Sequence, residues 1–300
     1  MKKLLTLTIL LVLGAGSNYA QWFQQRGLEI YNPWFHNPAF VGTEQSVQID
    51  LSAFNFRWNS GAWGSVMTTL PKLNSSAGIR YFYNSFPETG TSNYVLLAYA
   101  YEHSFSEDLQ LKGGIAFSHA KTEFEEGIFG ESMPDLAARI NGTMGLGLAL
   151  TYGKFYAGFV SQFPVYVTNE IRTGNQQTEK SKEEFRNTTL RLLSGYSLDV
   201  LDWLRIDPIF GLDYYLLNSG TSREWRGYLG SNLVFLENYG LGFTVGHVVS
   251  VSASVELLDR LSLMLGIYAG EYEFAEGLES PKYTLGANDF EIIGQIRIRL

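Results

Sequence analysis

The sequence of 300 residues contains no cysteine, so it builds neither a disulfide framework nor a lipoprotein anchored through Cys, although it reads as exported into an oxidising compartment. Beyond its N-terminal segment it has no run of about 18 consecutive apolar residues, which excludes a membrane-spanning helix there. Basic residues are scattered, 22 Lys and Arg against 30 Asp and Glu, and no patch exists to displace the counterions of a nucleic acid. Histidine is scarce. The four, His36, His103, His119 and His247, share no metal-ligand spacing, and no metal or cofactor is expected. What is plentiful is of another kind: 18 Tyr, 20 Phe, 6 Trp and 31 Gly, spread evenly, which points to strands rather than helices.

The chain opens on Met1-Lys2-Lys3, runs through an apolar stretch from Leu4 to Leu13, then turns small and polar in GAGSNYA. That pattern reads as a secretory signal peptide, residues 1–20, cut after Ala20, because the apolar stretch is shorter than the roughly 20 residues of a spanning helix. Loss of Lys2 and Lys3, with no acid lost, takes the formal net charge from −8 to about −10.

From Ser46 to Leu300 apolar and polar residues alternate with a period of two, as strands with one apolar and one polar face require. In DLQLKGGIAFSHA, Leu109, Leu111, Ile115 and Phe117 share one face, while Gln110, Lys112 and Ser118 share the other. In WLRIDPIFGLDYYL, Leu204, Ile206, Phe210, Leu212 and Tyr214 oppose Arg205, Asp207 and Asp213. The last segment sets Phe290, Ile292, Ile296, Ile298 and Leu300 against Glu291, Gln295, Arg297 and Arg299. About fourteen such segments occur, with a range of about 12 to 16, starting near residues 47, 62, 77, 93, 109, 142, 154, 188, 203, 225, 239, 249, 260 and 288. Their connections sort by length. SED, GK, VLD, LEN and LDR are brief and follow even strands, whereas residues 121–140, 161–186 and 271–288 are long and polar and follow odd ones. This segregation predicts an all-β fold over residues 46–300: a transmembrane antiparallel β-barrel with short periplasmic turns and long extracellular loops. Closure satisfies every backbone group in lipid and removes the exposed edges. Tyr81, Tyr83, Tyr99, Tyr101, Trp203, Tyr214, Trp225 and Tyr239 fall near strand ends, where amphipathic rings suit the two headgroup interfaces.

Residues 21–45 are then a periplasmic leader. It carries YNPWFHNPAFVG, Tyr31 to Gly42. Each proline fixes its own backbone and pushes the preceding Asn toward extended geometry, so Asn32-Pro33 and Asn37-Pro38 form a stiff ribbon with little entropy left to lose. Its rings, Tyr31, Trp34, Phe35 and Phe40, suit an anchor, either on a partner protein or as a plug or cap on the barrel's own mouth. The face expected to line the lumen carries both signs of charge: Arg80, Glu102, Lys112, Arg191, Arg205, Asp207, Asp213, Arg226, Glu256, Glu291, Arg297 and Arg299. Mixed charge favours internal pairing or a plugged barrel over a strongly selective pore, with a porin-like channel for small solutes as the alternative. The run EKSKEE, Glu179 to Glu184, reads as a solvated loop. Glycine alternation at Gly145 and Gly147 reads as relief of crowding where the sheet bends. An outer-membrane hydrolase using His103 or His247 would need a nucleophile elbow, and no Gly-x-Ser-x-Gly precedes either; Ser118 and His119 point to opposite faces. No catalytic residue is assigned.

Tyr31-Asn32-Pro33, then Asn37-Pro38-Ala39-Phe40 with Gly42 following, resembles the N-terminal signature of the PorP/SprF-like family, outer-membrane proteins associated with the type IX secretion system of Bacteroidota. NSSAGIRYFYNSFPETG, MPDLAARINGTMGLGLALTYGKFYAGF and LLSGYSLDVLDWLRIDPIFGLDY are similar to family segments in family order, although the chain ends on Leu300 where members commonly end on an aromatic. The resemblance implies a non-enzymatic barrel in the cell outer membrane, surrounded by outer-membrane lipid. It implies partners among the type IX secretion components of the periplasm or outer membrane, or a large secreted adhesin, with gliding motility among the processes served.

Overall fold

The computed structural model describes Trp34 and residues 37–42, 47–55, 60–86, 90–126, 136–173, 177–182, 188–216, 223–246, 248–258, 260–270 and 291–300. The expected signal peptide lies outside them, as do Tyr31, Asn32, Pro33, Phe35, His36 and His247. The strands are β1 (Val47–Asn55), β2 (Ser60–Leu70), β3 (Ser75–Phe86), β4 (Gly90–Ser104), β5 (Leu109–Phe124), β6 (Leu136–Tyr152), β7 (Phe155–Thr173), β8 (Gln177–Lys182), β9 (Thr188–Tyr196), β10 (Leu198–Leu201), β11 (Leu204–Leu216), β12 (Arg223–Phe235), β13 (Tyr239–Gly246), β14 (Val248–Leu258), β15 (Leu261–Gly270) and β16 (Glu291–Arg299). Neighbours pair antiparallel throughout, and β16 returns to pair with β1 from Gln48↔Arg299 to Asn55↔Ile292. The Leu300 N–H extends this seam to the Val47 carbonyl at 2.9 Å.

β9 and β10 form one stave interrupted at Ser197, and β8 pairs only with Thr168–Thr173 of β7, so the closed wall has 14 strands. Among the described residues no helix is long and apolar enough to cross a membrane. The crossing is made by strands.

The wall is apolar outside and polar within. Leu51, Leu97, Ile115, Leu148, Val251, Leu265 and Ile292 are exposed, whereas Asp50, Ser52, Ser65, Ser118, Ser250, Ser252 and Gln295, on the opposite face of the same or adjacent strands, are buried. Backbone pairing satisfies the main chain, and the outward side chains have only lipid to meet. Tyr99, Tyr101, Trp203 and Tyr239 ring the short-turn end, and Tyr81, Tyr83 and Trp225 the opposite end. Tyr83 stands opposite Asn93, and Ser75 opposite Tyr101; eight residues of tilted β4 separate the belts by roughly 20 Å, close to the height of an outer-membrane apolar band. Tyr214 and Trp225 pack across strands with centroids 4.2 Å apart.

Two expectations are corrected. Residues 121–124, 136–140 and 161–173 are strand rather than loop, and the EKSKEE run contributes Glu179–Lys182 to β8. The far ends of β5, β6 and β7 are rich in charged and polar residues, so the alternation fades there while the backbone ladder persists. A bulge opposite Gly142 and Thr143 accommodates Pro164, which has no N–H to give the ladder.

Leu265 faces lipid near the middle of β15. Leu265→Arg is expected to cost about 2–4 kcal/mol in reversible folding into lipid vesicles, by analogy with midplane charges in other barrels.

Candidate functional site

The described part of the leader, Trp34 and residues 37–42, lies inside the barrel. Pro38, Ala39 and Phe40 form a single 3-10 turn, with Pro38 at its first position and Asn37 extended (φ −131°, ψ 112°), the geometry a residue before proline prefers. Asn37 organises both the turn and its seat. Its Oδ1 accepts from Ala39 N at 2.9 Å, while its Nδ2 donates to the carbonyls of Leu148 on β6 and Phe159 on β7 at 3.0 and 3.2 Å. Leu148 and Phe159 stand opposite one another across the ladder, so one side chain ties the leader to two strands.

The seat is made of glycines. A Cβ on Gly114 of β5 would strike the backbone of Pro38 and Ala39, and one on Gly147 of β6 would strike Asn37. At Gly158 of β7 it would come within 2.5 Å of the Phe40 ring, and at Gly78 of β3 within 2.7 Å of Val41. Gly147 is therefore needed for the leader's close approach rather than for bending the sheet, whereas Gly145 has ordinary room. Gly42 ends the ribbon at φ +68°, a conformation L side chains rarely adopt, and its carbonyl accepts from Ser76 Oγ at 3.3 Å.

Ala39, Phe40 and Val41 are buried in one cluster with inward-facing Trp63, Met67, Leu96, Ala98, Ala116 and Ala149. Phe40 meets Tyr156 edge-on with centroids 5.9 Å apart. Trp34 is also buried, and the Arg80 guanidinium stands 5.4 Å from its ring centre and 5.7 Å from that of Tyr94. Burial of Phe40 and Val41 is worth on the order of 1.5–3 kcal/mol each.

Among the described side chains, several other lumen charges are paired. Arg191 grips Asp213 with Nε at 2.5 Å and Nη2 at 3.1 Å, both side chains buried, and Tyr215 donates to the same carboxylate at 3.0 Å. Asp50 accepts from Arg297 Nε at 2.8 Å, Gln48 at 2.9 Å and Gln295 at 3.3 Å. Lys112 meets Glu102 at 2.6 Å, Arg205 meets Asp207 at 3.1 Å, and Arg299 pairs with Glu256. The backbones of Arg226 and Glu291 lie opposite Asp213 and Tyr268. Asp50 was not singled out in the sequence; its signal was the inward set Gln48, Asp50, Ser52. At the periplasmic rim Lys154 donates to Asp199, and that hydrogen bond holds the Asp199 carboxyl below the usual carboxylate range. His103 lies edge-on to Phe105, and His119 faces outward, its Nδ1 2.5 Å from the Tyr166 hydroxyl. Among the described residues neither histidine makes a hydrogen bond to a serine.

The leader's turn rests on β4, β5 and β6. On the opposite wall, between β11 and β16, a cavity of about 150 Å3 opens at the short-turn end.

A closed antiparallel wall, an outward apolar band between two aromatic belts and a polar interior define an outer-membrane β-barrel. The sequence model of a family described as type IX secretion system membrane protein PorP/SprF matches residues 19–276. The chain belongs to that family. No curated protein matches it. Among solved structures it is similar to the toluene transporter TodX of Pseudomonas putida, at 10% identity and a TM-score of 0.47, covering 95% of this chain and 94% of that one. It is also similar to the NanC porin (6%, TM-score 0.43, 85% and 100% covered) and to the translocator domain of the autotransporter NalP from Neisseria meningitidis (11%, TM-score 0.45, 86% and 90% covered). Nothing about function follows from likenesses so distant.

Asn37→Ala removes two donated bonds and one accepted bond and is expected to lower stability by about 1–3 kcal/mol. Gly147→Val, which cannot coexist with a seated Asn37, should expose the leader to added protease. Denaturant midpoints in detergent and limited proteolysis check the two.

Proposed function

We propose that this chain is a non-enzymatic, plugged outer-membrane barrel that supports export or surface anchoring of adhesin-type cargo by the type IX secretion system. It acts through contacts with periplasmic machinery or with the cargo rather than through a solute path. In this reading residues 1–20 are a signal peptide removed after Ala20, residues 21–45 a leader whose seated part, residues 37–42, occupies the lumen, and residues 46–300 the barrel in its shell of outer-membrane lipid. The observation that carries the reading is the leader's seat, where Asn37 and four wall glycines hold residues 37–42 in the space a solute channel would use. Paired lumen charges agree, since paired charges offer a passing ion no unpaired ring. Family membership supplies the secretion system. The contact surface is then the short-turn end and the polypeptide N-terminal to Trp34.

A small-solute channel is the second reading, favoured by the cavity on the wall opposite the leader. Planar-bilayer recording separates the two: the intact chain is expected to show no steady conductance, and deletion of residues 34–42 to produce one. Steady conductance from the intact chain would favour the channel. Purification from native outer membrane is expected to recover type IX secretion components or a large surface adhesin. Recovery of neither, together with intact secretion in a strain lacking the gene, would overturn the proposal.

A further inference from the structure

We infer that Asp50 fixes where β16 docks on β1 as the barrel closes, and through that register fixes the stagger and width of the whole wall. This role belongs to assembly of the barrel and stands apart from secretion.

Turns guide the hairpins but not the seam. β2 and β3, β4 and β5, β6 and β7, β12 and β13, and β14 and β15 are each joined by a short turn, which sets their register. β1 and β16 come from opposite ends of the polypeptide, so no turn chooses theirs. Nor does the ladder choose. Sliding β1 by two residues, to set Val47 opposite Ile298 and Phe54 opposite Glu291, pairs as many rows as the native run from Gln48↔Arg299 to Asn55↔Ile292 and keeps every side chain on its own face. On the outside Leu51 then meets Gly294 rather than Ile296, and Ala53 meets Ile292 rather than Gly294. Those contacts are apolar in both registers and carry no direction.

The inner face does choose. Asp50 is fully buried, and Arg297 stands directly opposite it across the seam, with Nε 2.8 Å from its carboxylate. Gln48 and Gln295 donate to the same carboxylate at 2.9 and 3.3 Å, and the hydroxyl of Ser65, opposite Asp50 on β2, is 3.5 Å away. Three strands thus converge on one charge. In the slid register Asp50 faces Gln295 and Arg297 faces Gln48, so a buried carboxylate stands opposite an amide in place of a guanidinium, a costly exchange. Sliding the other way sets Asp50 opposite Arg299, which would draw that guanidinium from Glu256 and shorten the ladder. Only the native register gives each carboxylate its own arginine, Asp50 with Arg297 and Glu256 with Arg299. Phe54 and Ile293, opposite one another and both buried, agree with it, but charge-assisted hydrogen bonds have the directional preference that apolar packing lacks.

The register of the seam matters beyond the seam itself. For a given number of strands the stagger at closure sets both strand tilt and barrel radius. The leader's turn is fitted to one width, with Gly114, Gly147 and Gly158 leaving no room for even a methyl group beneath it.

The chain has no cysteine, so introduced pairs report the register without competing thiols. Ala53 and Gly294 are opposite in the native register, and Ala53 and Ile292 in the slid one. A Cβ on Gly294 meets nothing within 4 Å, so the outer face accepts the change. In the full chain folded into lipid vesicles, disulfide formation by Ala53→Cys with Gly294→Cys is expected to exceed that by Ala53→Cys with Ile292→Cys by about tenfold or more, the scale of one charge-assisted contact. Asp50→Asn and Arg297→Gln should each bring that ratio toward one, and exchanging the charges, Asp50→Arg with Arg297→Asp, should restore it. A ratio unchanged in both single variants, or not restored by the exchange, would overturn the inference. Where neither single variant folds, the exchanged pair decides: closure in the native register upholds the role of Asp50, and failure to close overturns it.

Discussion

No water reaches the lipid-facing side of this wall, so every backbone N–H and C=O there must find a partner on a neighbouring strand, and the ladder is complete only when β16 meets β1. The rest of the structure depends on that closure. A period of two sends alternate side chains outward to lipid and inward to the lumen. The inward set must then pair its own charges or pack against something. Arg191 with Asp213 and Tyr215, and Asp50 with Arg297 and Gln48, meet the first demand; the leader meets the second.

Inside the barrel the organisation resembles that of a water-borne protein turned inward. One sector, facing β2 to β7, holds an apolar core in which Trp34, Phe40 and Val41 meet Trp63, Met67 and Leu96. The sector facing β11 to β16 continues that cluster through Ile209, Tyr228, Met264 and Ile293, and at its short-turn end carries charge around an open cavity. The division follows from where the small residues fall. Gly78, Gly114, Gly147 and Gly158 take away the side chains that would keep a backbone from approaching β3 and β5 to β7. β11, β14 and β16 instead carry Arg205, Glu256, Arg297 and Arg299 toward the same space.

The strand pattern was legible because lipid enforces it. Leu109, Leu111, Ile115 and Phe117 alternate with Gln110, Lys112 and Ser118 along a strand that has lipid on one side only. The pattern gave out from Lys121 on β5 and Ser161 on β7, where charged and polar residues such as Glu123, Asn169 and Glu170 interrupt the alternation, and strand was read as loop. The stiffness of Asn37-Pro38 was legible from proline chemistry, but its resting place was not. A glycine reads alike whether it eases a bend or admits a neighbour, and Gly147 and Asn37 are joined only through the closed fold. The Asp50–Arg297 pair was hidden for a related reason. Its members lie 247 residues apart and meet only across the seam.

The leader runs directly into β1, one of the two strands of that seam, with residues 43–46 between Gly42 and Val47. Tension applied to the chain before Trp34 would otherwise fall on β1 at the one junction made by strands from opposite ends of the polypeptide. Asn37, fastened to β6 and β7 on the far side of the closing seam, takes up that load first and passes it to the longest strands of the wall. In the path of the chain, then, the bonds of Asn37 to β6 and β7 come before the seam.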